Sequence, residues 1–353
     1  MNAPVAMNVS VALANLASAQ DCARIEDFVR DREGTIFQRP TWLAAIEAGT
    51  GQTALGLVAE RGGVMCGWLP LSDVHSPLFG RALVSSGFAV GGGPLFADER
   101  VLEALLASAA ELAMRNSVPT IELRSSEAVE GWDRIEGRHA GFVGKLASDD
   151  DAQLLAIPRK ARAEVRKGLA NDLEVTVGRS EQNLEAHYRC YSESVRNLGT
   201  PVFPRSLFAA VIKAFGDDAD ILTVSHEGRP ISSVLSLYHD GAVMPYWGGG
   251  RWEARSLRAN ERMYYELMCH ARRKGMERFD FGRSKTGSGP FAFKKNWGFE
   301  PEPLTYRRWS APGVEARNID PTDEGYSAKI ELWKKLPLPV ANLIGPWIAR
   351  GLG

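Results

Sequence analysis

The chain repeats itself, and that repeat constrains its fold more than any other feature. "LGLVAERGGVMCGWLPL" (55–71) and "DILTVSHEGRPISSVLSLY" (220–238) each read as an apolar strand, a glycine turn and a second strand. "LVSSGFAVGGGPLF" (83–96) and "AVMPYWGGGRW" (242–252) each run a strand into three glycines. Helical patterns follow over 98–116 and 256–275, then two acidic strands ending in Arg-Ser, "TIELRSS" (120–126) and "RFDFGRSK" (278–285). The offset is 157 residues from Gly91 to Gly248 and 159 from Arg124 to Arg283. Elements kept in order, with the extra length falling around the loop-like "HSPLFG", are what a duplicated domain shows.

The order of elements predicts the architecture. In the second half the patterns give helices 181–198 and 204–216, strands near 220–226, 230–239 and 242–247, helix 256–275, strand 277–282, a short helix near 290–296 and strand 303–309. The first half repeats this with helices 22–32 and 40–48, three strands, helix 98–116, strand 119–124 and a strand near 140–146. Strands joined by tight turns pair antiparallel, and a strand-helix-strand crossover pairs parallel and right-handed. The expected fold is therefore mixed α/β, a mixed sheet with helices on both faces, in two tandem copies. The chain's 353 residues suit two cores better than one. The expected domains are 1–150 and 151–312, with a C-terminal tail over 313–353.

Composition excludes several classes. A net charge of −1 gives no global field for nucleic acid, so any basic surface is local. Cys22, Cys66, Cys190 and Cys269 form no CxxC pair, and the six histidines form no HExxH or Cys/His cluster, so neither a disulfide framework nor a metal site is expected. No Lys or Arg precedes Arg24, so the N-terminus lacks the basic region of a signal peptide. The stretch Leu336 to Ile348 is apolar but too short to span a bilayer. It reads as a tail packed on the body, with surface membrane contact as the minor alternative. The expected location is cytoplasmic, with that tail as the candidate contact to the inner membrane.

Three stretches carry a family resemblance: "PYWGGG" (245–250), "FDFGRSKTGSGPFAFKKNWGF" (279–299) and "IPRKARAEVRKG" (157–168). The element order resembles the GNAT (acyl-CoA N-acyltransferase) fold in tandem, as in the Fem aminoacyltransferases that add amino acids to peptidoglycan precursors. The three stretches look most like the FemAB-like proteins of exosortase (PEP-CTERM) and exopolysaccharide loci. "FAFKKNWGF" is similar to the Fem YxFKxxFG signature, with Phe291 in place of the tyrosine. The resemblance implies acyl or aminoacyl transfer to an amine of a cell-envelope or exopolysaccharide-related precursor, small or lipid-linked. The donor it implies is aminoacyl-tRNA or acyl-CoA, used as a substrate, with no other cofactor.

The residues supply candidates of their own. Acyl transfer to an amine passes through a tetrahedral oxyanion that a fixed cation stabilises. Lys294, held among Phe291, Phe293 and Trp297, is the candidate cation; Lys295 reads as its solvated neighbour. Asp280 is the candidate general base, although Glu122 occupies the matching place in the first copy and argues for a structural acid. Arg283, Ser284 and Lys285 at a strand end can hold an anion or simply close a turn. Tyr246 and Trp247 precede Gly248, where the glycines permit close approach of a ligand. Asn260, Glu261 and Tyr264 open the next helix on one side. Arg159, Arg162 and Arg166 stand at i, i+3 and i+7 and form either a phosphate clamp or a solvated helix face. "FGRSKTG" fails both the Walker A and the nucleophile-elbow patterns. The CoA loop of single-domain GNAT enzymes carries glycines that "GGGRWEARSLRAN" lacks after Arg251. Three readings stand: a Fem-like N-acyltransferase, a CoA-dependent GNAT acetyltransferase, and a non-catalytic binding or assembly protein. The functional cleft is expected in the second copy, since "SEAVEGWDRIEGRH" after Arg124 has no lysine to match Lys294.

Overall fold

The computed structural model describes residues 8–127, 129–314 and 324–353, the last without the side chains of 324–328. The chain forms two compact units. The first comprises Met1–Glu136, Leu304–Ile319 and Arg350–Gly353, and the second Gly137–Pro303 and Asp320–Ala349.

The first unit runs β1 (Val9–Leu13), α1 (Ala19–Asp31), α2 (Pro40–Thr50), β2 (Thr53–Arg61), β3 (Val64–Ser76), β4 (Gly80–Val84), β5 (Leu95–Phe96), α3 (Glu99–Arg115), β6 (Thr120–Leu123) and β7 (Asp133–Ile135). The second opens with β8 (His139–Gly141), β9 (Val143–Lys145), α4 (Asp150–Ala156), α5 (Arg159–Ala170) and β10 (Glu174–Gly178). It continues with α6 (Glu181–Leu198), α7 (Arg205–Phe215), β11 (Ala219–His226), β12 (Arg229–His239), β13 (Ala242–Gly250), α8 (Ala259–Arg273), β14 (Arg278–Asp280), β15 (Ser284–Lys285), α9 (Gly289–Asn296) and β16 (Glu302–Pro303). β17 (Tyr306–Ser310) returns to the first unit, and α10 (Glu324–Lys334) and α11 (Leu338–Ala349) belong to the second. Of the segment read as a tail, 315–323 lie outside the described residues.

The two large sheets share the order of six strands. The first runs β1-β2-β3-β4-β6-β17-β7 and the second β10-β11-β12-β13-β14-β9. In each, four strands pair antiparallel in sequence, the fifth pairs parallel after a helical crossover, and the sixth pairs antiparallel. The sixth strands are exchanged. The strand expected near 140–146 was assigned to the first copy, yet β9 completes the second sheet on β14. The strand expected at 303–309 was assigned to the second copy, yet β17 completes the first sheet on β6. Strands of three and five residues carry too few alternating positions to specify which sheet they join. The glycine triplets also differ. Gly248–Gly250 extend β13, whereas β4 ends at Val84 and Gly91–Gly93 lie in a loop.

Alternation along each strand buries both faces. In the first unit Leu57 and Ala59 pack with Leu105 and Ala109 of α3, while Val58 and Trp68 pack with Ile25 and Leu43 on the opposite face. In the second, Val234 and Val243 pack with Met263 and Leu267 of α8 and with Val165 of α5. The other face meets α6 and α7, where the Phe208 ring lies 5.2 Å from both Trp247 and His187. His187 is fully buried against Ser233 Oγ at 3.3 Å, and that burial drives its pKa down to about 3, so it packs as a neutral ring.

Candidate active site

In the second unit β13 and β14 touch only at their starts. Ala242 pairs with Arg278 and Val243 with Phe279, after which β13 continues to Gly250 unaccompanied by β14. A register shift against β12 leaves Tyr246 as the extra residue, since Leu235 opposes Trp247 and Ser236 opposes Pro245. Such a bulge bends the strand, and bulges recur beside active sites. The chain leaving β14 therefore parts from β13, while on its other side it stays bonded to Phe142 and to β8.

A compact turn fills the mouth of the gap between β13 and β14, and Lys294 holds it. Asp280 Oδ1 accepts the Gly282 N–H at 2.8 Å, and Gly282 sits at φ +64°, a conformation that favours glycine. The carbonyls that follow converge on one ammonium: Lys294 Nζ donates to the carbonyls of Phe281 at 2.6 Å, Arg283 at 3.1 Å and Gly282 at 3.3 Å. Lys294 is 8% exposed, and its Nζ lies 5.3 Å from the Phe142 ring centre and 5.7 Å from that of Phe281. Burial pushes its pKa down to about 8, while Asp280 pulls it up. The carbonyl dipoles pull the same way as Asp280. An ammonium has three protons, and three carbonyls take them. Lys294 is thus the clamp of the 281–283 turn, a fixed cation as the sequence suggested but one directed at backbone carbonyls. Lys295 is exposed.

The clamp rests on local packing. Ser288 Oγ caps α9 by accepting the Phe291 N–H at 3.3 Å, and donates to the Lys285 carbonyl at 2.7 Å. Trp297 is buried at the far end of α9, and Tyr264, Phe281 and Phe293 form edge-on and tilted pairs with it between 5.6 and 6.3 Å. Burial raises the Asp280 carboxyl above its usual range, opposed by the Gly282 N–H and then by Lys294. Ser284 Oγ is buried with no hydrogen-bond partner among the described residues. Arg283 and Lys285 are half-buried beside it.

The other candidates are divided by the fold. Trp247 is 5% exposed and belongs to the core under α6 and α7, with Tyr246 edge-on to it at 4.6 Å. Gly248 faces α8, where a side chain would stand 3.2 Å from Tyr264 Oη. Burial raises the Tyr264 hydroxyl to about 12. Asn260 Oδ1 accepts from Ser232 Oγ at 2.7 Å, so it ties α8 to β12. Glu261 is half-buried with its carboxyl raised by burial, and no ion pair reaches it among the described residues. On α5, Arg159 and Arg166 are exposed and unpaired among the described residues, while Arg162 donates to the Leu155 carbonyl at 2.9 Å. The start of α5 touches the end of α9, since a side chain on Gly298 would meet Pro158 at 3.1 Å.

Sequence reasoning missed Phe142 and β8. Phe142 is fully buried, meets Phe291 edge-on at 5.3 Å and accepts the Phe281 N–H on its carbonyl at 2.8 Å. β8 pairs with β15 and β16 on either side of α9. Both were assigned to the first copy, and no local signal marks the exchange. A surface depression of about 370 Å³ along α6, lined by Glu181, Glu185, Arg189 and Pro230, shares no residue with this turn.

Among the described residues the first unit lacks the arrangement. Arg124, at the place of Arg283, is 9% exposed and turned onto the carbonyls of Ser86 and Ala89.

Comparison with known proteins bears on this geometry. Residues 158–295 match the family described as acetyltransferase (GNAT) domain. The matched stretch opens at α5 and closes just past Lys294. The chain is also 24% identical over 216 residues to the lipid II:glycine glycyltransferase of Staphylococcus aureus, covering 54% of this chain and 50% of that protein. The chain thus spans about half the length of the curated relatives it matches. Among solved structures, FemX superposes with a TM-score of 0.64 at 18% identity, over 81% of this chain and 95% of that one. A tandem GNAT protein from the clavulanic acid biosynthesis pathway gives 0.59 at 12% identity, over 87% and 100%. The C-terminal domain of a putative lysylphosphatidylglycerol synthetase from Agrobacterium fabrum gives 0.54 at 14% identity, over 83% and 93%. The fold is that of tandem GNAT proteins, and the stretch that matches the GNAT domain family contains the clamped turn.

Proposed function

We propose that this chain is a Fem-like N-acyltransferase that moves an acyl or aminoacyl group onto an amine of a cell-envelope or exopolysaccharide-related precursor, with the second unit as its active unit. The observation that carries the reading is the turn at 281–283, set in the gap between β13 and β14 and locked by a buried lysine within the stretch that matches the GNAT family. The distant glycyltransferase relative favours an envelope precursor as acceptor.

The reaction needs an amine that loses a proton as it attacks, and a carbonyl whose oxygen gains charge. The amine nitrogen bonds to the acyl carbon, the C–O or C–S bond to the donor breaks, and the donor's oxygen or sulfur leaves with a proton. Asp280, with its carboxyl raised by burial, is the base that takes the amine proton. Lys294 keeps the Phe281–Arg283 backbone fixed, so the donors around the gap need no reorganisation as charge develops. The Ser284 hydroxyl, without a hydrogen-bond partner among the described residues, supplies one such donor. Arg159 and Arg166 hold phosphate groups of the donor or the precursor.

Packing favours a donor other than acyl-CoA. A side chain on Gly168 would stand 2.7 Å from the Arg258 carbonyl, and Asn171 Nδ2 donates to the Leu257 carbonyl at 2.8 Å. The C-terminal turn of α5 therefore lies against the loop that would cradle a CoA pyrophosphate. Calorimetry with CoA and with charged tRNA separates the two donors. The reading expects labelled amide from aminoacyl-tRNA and weak or no heat with CoA; tight CoA binding with acetyl transfer would overturn the donor assignment, and no transfer from either would overturn the enzyme.

A further inference from the structure

Helix α11 is amphipathic in an inverted sense. Its inward face is made of small residues: Ala341, Gly345 and Ala349 are buried. Gly345 fits so closely that a side chain there would meet the Val202 backbone nitrogen at 3.1 Å, and Asn342 Nδ2 donates to Ser192 Oγ of α6 at 3.3 Å. The outward face carries the large apolar side chains. Val340, Leu343, Ile344 and Trp347 stand at i, i+3, i+4 and i+7, one stripe of the helix, and are 41%, 79%, 38% and 47% exposed. A helix stabilised only by the body would bury its large residues and expose its small or polar ones. A contiguous exposed apolar stripe marks an interaction surface.

The surrounding charge indicates what covers it. From Leu332 to Gly353 the sequence has no acidic residue, while Lys334 and Lys335 precede the helix and Arg350 follows it. Lys335 and Arg350 are exposed; Lys334 is paired with Glu331 at 2.6 Å. Apolar residues including a tryptophan, flanked by cations, match the interface of an anionic bilayer, where the ring sits at headgroup depth and the cations meet phosphate. No helix among the described residues is long and apolar enough to cross a membrane.

We infer that α11 docks this protein on the surface of anionic lipid bilayers, with the Val340–Leu343–Ile344–Trp347 stripe inserted into the headgroup layer. The inference does not rest on the acyltransferase reading, because binding is read without donor or acceptor. The experiment is flotation of the full chain with vesicles of phosphatidylcholine alone and of phosphatidylcholine with phosphatidylglycerol. The wild type is expected to float with the anionic vesicles and far less with the neutral ones. Leu343→Ser with Trp347→Ser should abolish flotation while leaving the circular-dichroism melt unchanged, since both side chains are exposed. Lys335→Gln with Arg350→Gln should weaken partitioning onto anionic vesicles by about thirtyfold, the scale for two interfacial cations. Three results overturn the inference: no flotation of the wild type, equal flotation of the serine variant, or a wild-type dimer in solution that this variant splits, which would assign the stripe to a second copy of the chain.

Discussion

At the scale of single residues, Lys294 ties stability and activity to pH with opposite signs. Its pKa is lowered by burial to about 8, against 10.5 for a free lysine, so the unfolded chain holds this proton at pH values where the folded chain has lost it. The charged amine therefore costs the fold most below about pH 8, and stability relative to Lys294→Met rises as pH climbs towards 10.5. Turnover that needs the clamped turn falls over the same range, and paired melts and rate profiles read both slopes. At neutral pH, Lys294→Met leaves three carbonyls without their donor, so it should cost about 1–3 kcal/mol as well as lowering turnover ~10²-fold or more. Lys295→Met should change little, because that side chain is exposed. Asp280 offers a second test. Its pKa is raised in the fold, so its stability contribution improves as pH falls. Asp280→Asn should hold or raise the melting temperature while removing most turnover; loss of both together would make Asp280 a structural acid only.

At the scale of elements, the exchanged strands set which pieces of the chain can fold. A fragment of residues 137–349 keeps β8 and β9, whereas 151–349 leaves β14 as a bare edge and removes Phe142 from beneath Lys294. The longer fragment should stay in solution and melt cooperatively, and the shorter should aggregate; equal behaviour by light scattering would show that the exchange does not matter to folding. The same strands mark the limit of what the sequence revealed. Long amphipathic segments were legible: α6 was expected at 181–198 and occupies Glu181–Leu198, and α9 was expected near 290–296 and occupies Gly289–Asn296. Strand partners separated by well over a hundred residues were not, because β9 has three residues and no alternation of its own. Lys294 could be singled out from the aromatic residues around it, but its carbonyl partners could not, since they depend on a left-handed Gly282. Trp247 was misplaced because the bulge at Tyr246 shifts the phase of the strand. On α5, Arg159, Arg162 and Arg166 changed together to Ala should weaken binding of a phosphate-bearing donor. The melting temperature should barely move, because exposed charges contribute little. Unchanged binding in calorimetry would return that face to solvent.

At the scale of the whole molecule, two units that share the order of their first six strands differ at the end of the fifth. In the first unit an arginine turns inward onto the carbonyls of Ser86 and Ala89; in the second, a lysine gathers the carbonyls of 281–283. The account therefore assigns transfer to the second unit alone. The most direct test is the formation of a hydroxylamine-resistant, labelled amide from labelled aminoacyl-tRNA and an extracted pool of envelope precursors, compared across the wild type, Lys294→Met and Arg124→Met. The account predicts product with the wild type, ~10²-fold less with Lys294→Met, and near wild-type product from whatever Arg124→Met protein remains folded. Undiminished product from Lys294→Met, or loss of product confined to folded Arg124→Met protein, would contradict it.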